Sequence, residues 1–290
     1  MNCYVLFNPH AGNGIDLDKV NHLSELYNCD VVYKDITEIS DYKSFLSGVC
    51  EDDIIILCGG DGTLNRFVND TEGISIPCDL LYCALGTGND FLRDIDKVAD
   101  GTPISVKKYL TDLPMVEVKG KKYRFINNVG FGIDGYCCQV GDELKQASSK
   151  SVNYTAIAIK GLLFHYKPTS ATVTVDGIEH HYKKVWIAPT MKGKFYGGGM
   201  IATPNQDRND PEKKLSVMIF YGKGRIKTLM VFPSIFKGEH IKHKDMVAIH
   251  TGSEISVTFD RPSPLQIDGE TILGVTGYTA KAMAFAKINA

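Results

Sequence analysis

The sequence predicts an α/β plus mainly β protein, with an N-terminal α/β domain on a parallel sheet and a C-terminal antiparallel β-rich domain of the sandwich type. The chain has 290 residues, longer than a typical single domain. Its first half alternates short apolar runs with helical patterns, as parallel α/β sheets do. Its second half carries turn signals between stretches of alternating β-type sequence.

Four strands are predicted in the first half, at Cys3–Phe7, Val31–Tyr33, Ile54–Cys58 and Leu80–Leu85. The last two are nearly continuous apolar runs, as expected for strands that are covered on both faces. A helix is predicted around Asp16–Tyr27, between the first two strands.

Turn signals in the second half predict hairpins at Lys119-Gly120 and Asp176-Gly177. The domain boundary is predicted near Leu113-Pro114, where the character of the sequence changes. The other elements predicted in this half are strands at Thr172–Val175, Lys184–Ala188, Leu215–Tyr221, Met246–His250 and Glu254–Phe259, and helices near Lys150–His165 and Ile226–Phe236.

Composition and cysteine usage predict a cytoplasmic protein without a transmembrane anchor. The sequence has no run of 18 apolar residues, and its N-terminus lacks the basic start and cleavage site of a secretory signal. None of the eight cysteines forms a C-x-x-C pair, and several lie inside apolar runs. We interpret them as buried reduced thiols rather than a metal or redox site.

The net charge of −2 conceals an asymmetry between the halves. Residues 1–114 contain 8 Lys and Arg against 19 Asp and Glu, and residues 115–290 contain 24 against 15. A basic half could face anionic lipid headgroups. The alternative interpretation is that the two halves attract each other.

Glycine-bearing loops follow three predicted strands, at Asn8–Gly14, Gly59–Thr63 and Gly86–Asp90. Because the carboxyl ends of parallel strands meet at one edge of a sheet, these loops should converge in one crevice. Glycines let backbone amides approach phosphate oxygens, and the helices that follow add their positive ends. The loops therefore predict a nucleotide site, although neither a P-loop nor a Rossmann fingerprint is present.

Asp61 lies inside the second of these loops. A carboxylate there repels phosphates unless a metal ion or a transferable proton compensates. Catalysis or metal binding is the interpretation we favour, and the alternative is that Asp61 caps the helix that begins near Thr63.

The sequence resembles the diacylglycerol kinase catalytic-domain family, which includes soluble bacterial diacylglycerol and lipid kinases and is related to sphingosine and ceramide kinases. Two strings carry the resemblance most specifically, GGDGTLN at Gly59–Asn65 and GTGNDF at Gly86–Phe91. Weaker likeness follows the whole chain in order, at Asn8-Pro9 with Gly12, Asn127–Asp134, Tyr196–Met200 with Pro204-Asn205, and Gln266–Glu270.

The resemblance implies an ATP-binding domain at 1–114, a β-rich lipid-substrate domain at 115–276, and an active site in the cleft between them. It also implies that the last strand, around Tyr278–Ala286, returns to the first domain, so that this domain includes about 277–290.

The resemblance further implies transfer of the γ-phosphoryl group of ATP, with Mg²⁺, to a hydroxyl of diacylglycerol or a similar lipid. Asp61, Asp268 and Glu270 would then be catalytic, with either Asp61 or Asp268 as the base. Asp268-Gly269 also reads as a type I′ turn. The residues that would bind ATP are Asn8, Gly12, Gly59, Gly60, Gly62, Thr63, Gly86, Gly88 and Asn89.

One loop departs from the family pattern. Bacterial members often bind a structural magnesium through an Asp-Asp-Gly-like loop, which here reads Gln206–Lys214 without a glycine after Asp210. Asp207 and Asp210 are the oxygen ligands that this loop offers.

Two other functions stay open, an NAD kinase-like enzyme of similar plan and a lipid- or nucleotide-binding protein without catalysis. The expected partner is a lipid substrate at a membrane surface with anionic headgroups, which the protein would meet peripherally. No nucleic acid is expected, and the sequence leaves a homodimer and the identity of the lipid open.

Overall fold

A computed structural model of the protein describes residues 1–9, 30–86, 88–147 and 154–282, with the backbone alone for 145–147 and 154–155. The chain divides into two compact units, Met1–Asp112 and Leu113–Ala290. This division lies two residues before the boundary of 114 that the sequence predicts.

The N-terminal unit contains a five-stranded sheet among its described residues, in the order β2-β1-β3-β4-β5. Strands β1 to β4 are parallel, and β5 pairs antiparallel with β4. The four strands predicted in this half are confirmed. Their bounds, with that of β5, are β1 Asn2–Phe7, β2 Asp30–Asp35, β3 Ile54–Gly59, β4 Asp79–Ala84 and β5 Ile104–Ser105.

The apolar runs of the sequence form strands whose side chains are buried in this sheet. Ile56 in β3 and Val5 in β1 are fully buried, and Leu81 in β4 packs in the same cluster. The helix predicted at 16–27 lies outside the described residues. The described helices of this unit are α1 Tyr42–Ser47, α2 Asp61–Asp70, α3 Asp90–Asp94 and α4 Lys107–Leu110.

The cysteines that the structure describes are free thiols. Cys58 of β3 and Cys83 of β4 are register partners in the core, where they pack with Cys3. The hydrogen bond with Cys83, followed by burial, raises the pKa of the Cys58 thiol. Cys50 differs from the prediction of buried thiols, because it lies exposed.

The C-terminal unit is built on a ten-stranded sheet of its described residues, antiparallel in its pairings. Its main path runs β15-β14-β11-β8-β16-β17-β6-β7, and β9 joins β10 to β16. The strands are β6 Met115–Val118, β7 Lys121–Arg124, β8 Asn128–Gly132, β9 Thr169–Val175, β10 Ile178–Val185, β11 Ile187–Met191, β14 Leu215–Phe220, β15 Val247–Gly252, β16 Glu254–Ile267 and β17 Glu270–Lys281, and a separate pair joins β12 Phe195–Tyr196 to β13 Met200–Ile201.

Strand β16 changes its partner along its length. Residues 255–259 of β16 pair with β9, residues 265–267 pair with β8, and the register with β17 shifts between them. Phe131 and Phe259 stack in the core between these parts, with ring centroids 4.6 Å apart. The predicted antiparallel β-rich domain is confirmed.

Three tight turns of this unit have the backbone that the sequence predicts. Lys119, Asp176 and Asp268 have φ values of 49°, 47° and 46°, and each is followed by a glycine with positive φ. Two successive residues of positive φ are the mark of a type I′ turn, which joins strands with their natural twist.

The helices of the C-terminal unit agree in part with the predictions. The helix predicted near Lys150–His165 is described as α6 with a π-helical turn, and the one near Ile226–Phe236 as α7 with a 3₁₀ turn. A long helix, α5, was not predicted. The bounds are α5 Ile133–Ala147, α6 Tyr154–Lys160, π-helical turn Gly161–His165, α7 Arg225–Val231, and 3₁₀ turns Phe232–Lys237 and Glu239–Lys242.

The predicted return of about 277–290 to the N-terminal domain is wrong for residues 277–281. These residues are the end of β17, which pairs with β16 and β6 inside the C-terminal sheet. Backbone hydrogen bonding to two neighbours holds this segment in the C-terminal unit. Residues 283–290 lie outside the described part of the chain. Among the described helices, none is both long enough and apolar enough to cross a membrane.

Candidate functional site

The loops after β1, β3 and β4 meet at one edge of the parallel sheet. The Asn8 side-chain amide, just after β1, donates a hydrogen bond to the Thr63 hydroxyl over 3.3 Å. The Leu85 amide, just after β4, donates to the Gly59 carbonyl over 2.8 Å. Residues of all three loops are therefore brought together, whereas Gly12 lies outside the described residues.

Two of the glycines are required by tight packing, Gly86 against the neighbouring loop and Gly59 within its own. A Cβ on Gly86 would lie 2.6 Å from the Gly60 Cα, and a Cβ on Gly59 would lie 2.4 Å from the Thr63 hydroxyl oxygen. Neither side chain could be accommodated without moving the backbone of the loop. The two glycine loops consequently meet backbone to backbone at Gly60 and Gly86, and together form one surface.

Helix α2 begins in this surface without a side-chain cap. Gly60 occupies the N-cap position and offers no side chain to the amides of the first turn. Such amides need partners, and together with the helix dipole they favour an anion. Gly62 and Thr63 lie in this turn, as the nucleotide-site prediction requires.

Asp61 connects the two loops. Its carboxylate accepts hydrogen bonds from the backbone amides of Asp90, over 2.8 Å, and Phe91, over 3.4 Å. Asp61 therefore caps α3, rather than the helix at whose start it lies. Burial, followed by the negative charge of Asp61, raises the pKa of the neighbouring Tyr82 hydroxyl.

Asn89 presents an acceptor that the described residues do not satisfy. Its backbone is left-handed, with φ 53°, and its side-chain amide nitrogen donates to the Gly86 carbonyl over 2.8 Å. The side-chain oxygen is buried and accepts no hydrogen bond within the described residues. A buried acceptor without a donor is costly, so this atom fits a ligand that brings one. The Asn89 oxygen and the uncapped amides at the start of α2 together fit a ligand that carries phosphate and also has hydrogen-bond donors.

Asp268 lies in the turn between β16 and β17 and is 8% exposed. Its carboxylate accepts hydrogen bonds from three successive backbone amides, those of Ile126, Asn127 and Asn128. Both oxygens are thus engaged in holding the segment that leads into β8. Glu270, two residues further on, is exposed at the start of β17.

Arg208 is a residue that the sequence analysis did not single out. It is 6% exposed, and its guanidinium donates to the Ile126 carbonyl over 2.7 Å and to the Asn127 side-chain oxygen over 2.8 Å. Asp268 and Arg208 therefore bind the same short segment. The only sequence signal is the position of Arg208 between Asp207 and Asp210.

Asp207 and Asp210 each cap a turn of their own loop. Asp207 accepts from the Asn209 amide over 2.9 Å, and Asp210 from the Glu212 amide over 3.0 Å. No group of three or more His, Cys, Asp or Glu side chains in the described ranges is placed to hold a metal ion. Each aspartate thus caps a turn of its own loop, and the structural magnesium site at Asp207 and Asp210 stays a prediction.

Asp134 is a second residue that sequence reasoning missed as part of a site. Its carboxylate accepts from the Gly135 amide over 2.9 Å and from the Gln266 side chain over 3.4 Å. Gln266 in turn accepts from the Gly269 amide over 2.9 Å, which connects Asp134 to the turn of Asp268. Burial raises the pKa of Asp134 from 3.8 to about 7, although these hydrogen bonds oppose the shift.

We expect Asp134→Asn to change the pH dependence of stability. Because the pKa is higher in the folded than in the unfolded chain, Asp134 contributes stability below pH 3.8 that is lost as pH rises to about 7. From pH 5 to pH 7 the free energy of unfolding of the wild type should fall relative to the variant by roughly 2 kcal/mol. Urea unfolding at several pH values measures this difference, with the exposed Asp260→Asn as the control. Parallel curves for wild type and Asp134→Asn would contradict it.

Two family models match the chain in sequence order. The diacylglycerol kinase catalytic domain matches residues 2–114, and the YegS C-terminal NAD kinase beta sandwich-like domain matches residues 127–284. The chain belongs to the diacylglycerol kinase family with a YegS-type C-terminal domain. The resemblance drawn from the glycine strings is therefore confirmed.

Curated relatives of this diacylglycerol kinase family member carry kinase names. The protein named "Putative lipid kinase YtlR" from Bacillus subtilis is 24% identical, over 95% of this chain and 94% of its own length. The diacylglycerol kinase of Mycobacterium tuberculosis strain H37Rv is 25% identical, and that match covers 66% of this chain and 62% of the relative.

Solved structures of similar fold include one from Bacillus anthracis strain Sterne. It is described as the crystal structure of a putative diacylglycerol kinase, and it aligns with a TM-score of 0.68 at 17% identity. The alignment covers 97% of this chain and 94% of that one. At this identity the likeness shows the fold alone.

Proposed function

We propose that the protein is an ATP-dependent lipid kinase that phosphorylates a hydroxyl of diacylglycerol or a similar lipid. The observation that carries the proposal is the surface of two glycine loops joined by the Asp61 carboxylate. Membership of the diacylglycerol kinase family supports the reaction class. The names of the relatives support a lipid acceptor.

ATP fits the described residues of the N-terminal unit. Backbone amides at the start of α2 would bind phosphate oxygens, and the Asn89 side-chain oxygen would accept from a donor of the nucleotide. Asn8 would keep the Thr63 side chain in place. Magnesium bound with ATP would neutralise the phosphate charge.

In the proposed reaction the lipid hydroxyl oxygen forms a bond to the γ-phosphorus, and the bond from that phosphorus to the β–γ bridging oxygen breaks. ADP leaves, and the proton of the hydroxyl passes to a carboxylate. The products are ADP and a phosphorylated lipid, which is phosphatidic acid when the acceptor is diacylglycerol. Such transfer depends mainly on positioning and charge neutralisation.

Asp61 is the base in this proposal, and Asp268 is a positioning residue. Asp268 is buried and its oxygens already bind three backbone amides, which stabilise it as a carboxylate. Asp61 is less buried and accepts from two amides, one of them at 3.4 Å. A positioned base typically contributes about 10²–10⁴-fold to the rate.

An NAD kinase is the second candidate, because the matching C-terminal domain is described as NAD kinase beta sandwich-like. The consumption of ATP should distinguish the two. With saturating magnesium and ATP, we expect ADP release to rise when mixed micelles of diacylglycerol are added and to stay at background with NAD. An increase with NAD and none with micelles would replace the lipid acceptor by a dinucleotide.

A further inference from the structure

Two neighbouring segments of the C-terminal unit expose large apolar side chains. They are α6 with its π-helical turn, at 154–165, and α7 with its 3₁₀ turn, at 225–237. Five of the twelve exposed large hydrophobic residues of the described chain lie here. They are Ile159 at 44%, Phe164 at 70%, Ile226 at 76%, Met230 at 74% and Phe236 at 44% exposed.

Packing explains why these side chains point outward. In α7, Thr228 and Val231 are buried, and Leu229 packs on the core beneath. Ile226 and Met230 are one turn apart on the opposite side of the helix. The Arg225 guanidinium donates to the Leu162 carbonyl over 2.8 Å, which ties α7 to the π-helical turn that carries Phe164.

The same segments, taken with the residues that flank them, are rich in cations and lack acids. Residues 154–167 and 222–238 contain no Asp or Glu, although the chain has 34 acidic residues. Of their six Lys and Arg, Lys223 pairs with Asp245 over 3.1 Å, and Arg225 lies over the Trp186 ring. The remaining four are exposed, namely Lys160, Lys167, Lys227 and Lys237.

We propose that this apolar–basic face, formed by the five exposed hydrophobic residues and the four lysines, docks the protein on a bilayer with anionic headgroups. Phe164, Ile226 and Met230 would insert at the boundary of headgroups and acyl chains, as the apolar side of an interfacial helix does. The lysines would lie at the level of the lipid phosphates. Lys242, also in the basic half, pairs with Glu239 over 2.7 Å and is not part of this face.

A second copy of the chain fits this face less well than a bilayer does. In a two-fold dimer the same patch meets itself. The four lysines of one copy would then face those of the other, without an acidic residue in either segment to pair with them. An anionic leaflet supplies the complementary charge together with an apolar interior.

Sedimentation with vesicles tests the proposal on the full chain, without ATP or diacylglycerol, so the result does not depend on the proposed reaction. We expect binding to vesicles of equal phosphatidylglycerol and phosphatidylcholine that weakens with salt, and little binding to phosphatidylcholine alone. Ile226→Ser with Met230→Ser should weaken the binding at least tenfold. The matched control is Leu273→Ser, at an exposed position of β17.

The charged part has its own pair of variants. Lys227→Gln with Lys237→Gln should weaken binding and its salt dependence, whereas Lys43→Gln with Lys97→Gln, exposed in the N-terminal unit, should not. Circular dichroism confirms the fold of each variant. Wild-type binding by Ile226→Ser with Met230→Ser, or equal binding to both vesicles, would overturn the proposal. Loss of a dimer in that variant would instead assign the face to a second copy.

Discussion

Replacing Asp61 by asparagine should lower turnover by at least about 100-fold. The carboxylate lies between the two glycine loops and is the proposed base, and an amide in its place does not accept a proton. The variant should still fold, because Asp61 is partly exposed and an asparagine oxygen can keep one bond to α3. Transfer of labelled phosphate from ATP to lipid micelles measures the loss.

The control for Asp61→Asn is Asp70→Asn. Asp70 lies at the other end of α2, and its exposed side chain pairs with Arg66. It should keep nearly full turnover. Urea unfolding should show that Asp61→Asn loses no more than about 1 kcal/mol. If Asp61→Asn retained most of the kcat of the wild type, Asp61 would be a cap for α3 and not a base.

Replacing Asp268 by asparagine should destabilise the C-terminal unit by about 3 kcal/mol, because hydrogen bonds to a charged group are individually strong. Three backbone amides lose a charged acceptor, and the new NH₂ group would face one of them. Turnover should fall as well, since the segment at Ile126–Asn128 is no longer held. Urea unfolding of wild type and variant gives the difference in stability.

The exposed Asp260→Asn on β16 is the control for Asp268, and its free energy of unfolding should stay within about 0.5 kcal/mol of the wild type. Stability and kcat together distinguish the two possible roles of Asp268, that of a positioning residue and that of a base. A positioning residue costs stability when replaced, whereas a base costs only kcat. Unchanged stability with a kcat lowered by more than about 100-fold would make Asp268 the base.

The parts of the fold that sequence predicts depend on local signals. The apolar run Ile54–Cys58 predicts β3, because a strand that is covered on both faces needs apolar side chains on both. The pairs Lys119-Gly120 and Asp268-Gly269 predict their turns, because few residues tolerate positive φ. In the same way, glycine loops after parallel strands predict where the site lies in the N-terminal unit.

The parts that sequence does not predict depend on contacts between distant residues. Arg208 binds Ile126, 82 positions earlier, and no local pattern reports that bond. Asp134 acquires its raised pKa through burial, which the sequence around it does not reveal. The end of β17 was placed in the wrong domain for the same reason, since its pairing with β6 joins Lys281 to Met115.

Transfer of phosphate from ATP to a lipid hydroxyl is the activity proposed for this protein. The most direct test supplies γ-labelled ATP and magnesium with mixed micelles of diacylglycerol, phosphatidylglycerol or a sphingoid base, each alone, and with NAD. Mass spectrometry then identifies the product. We predict a phosphorylated lipid from at least one of these alcohols, formed by the wild type and not by Asp61→Asn. Label transferred only to NAD or to water would show that the protein is not a lipid kinase.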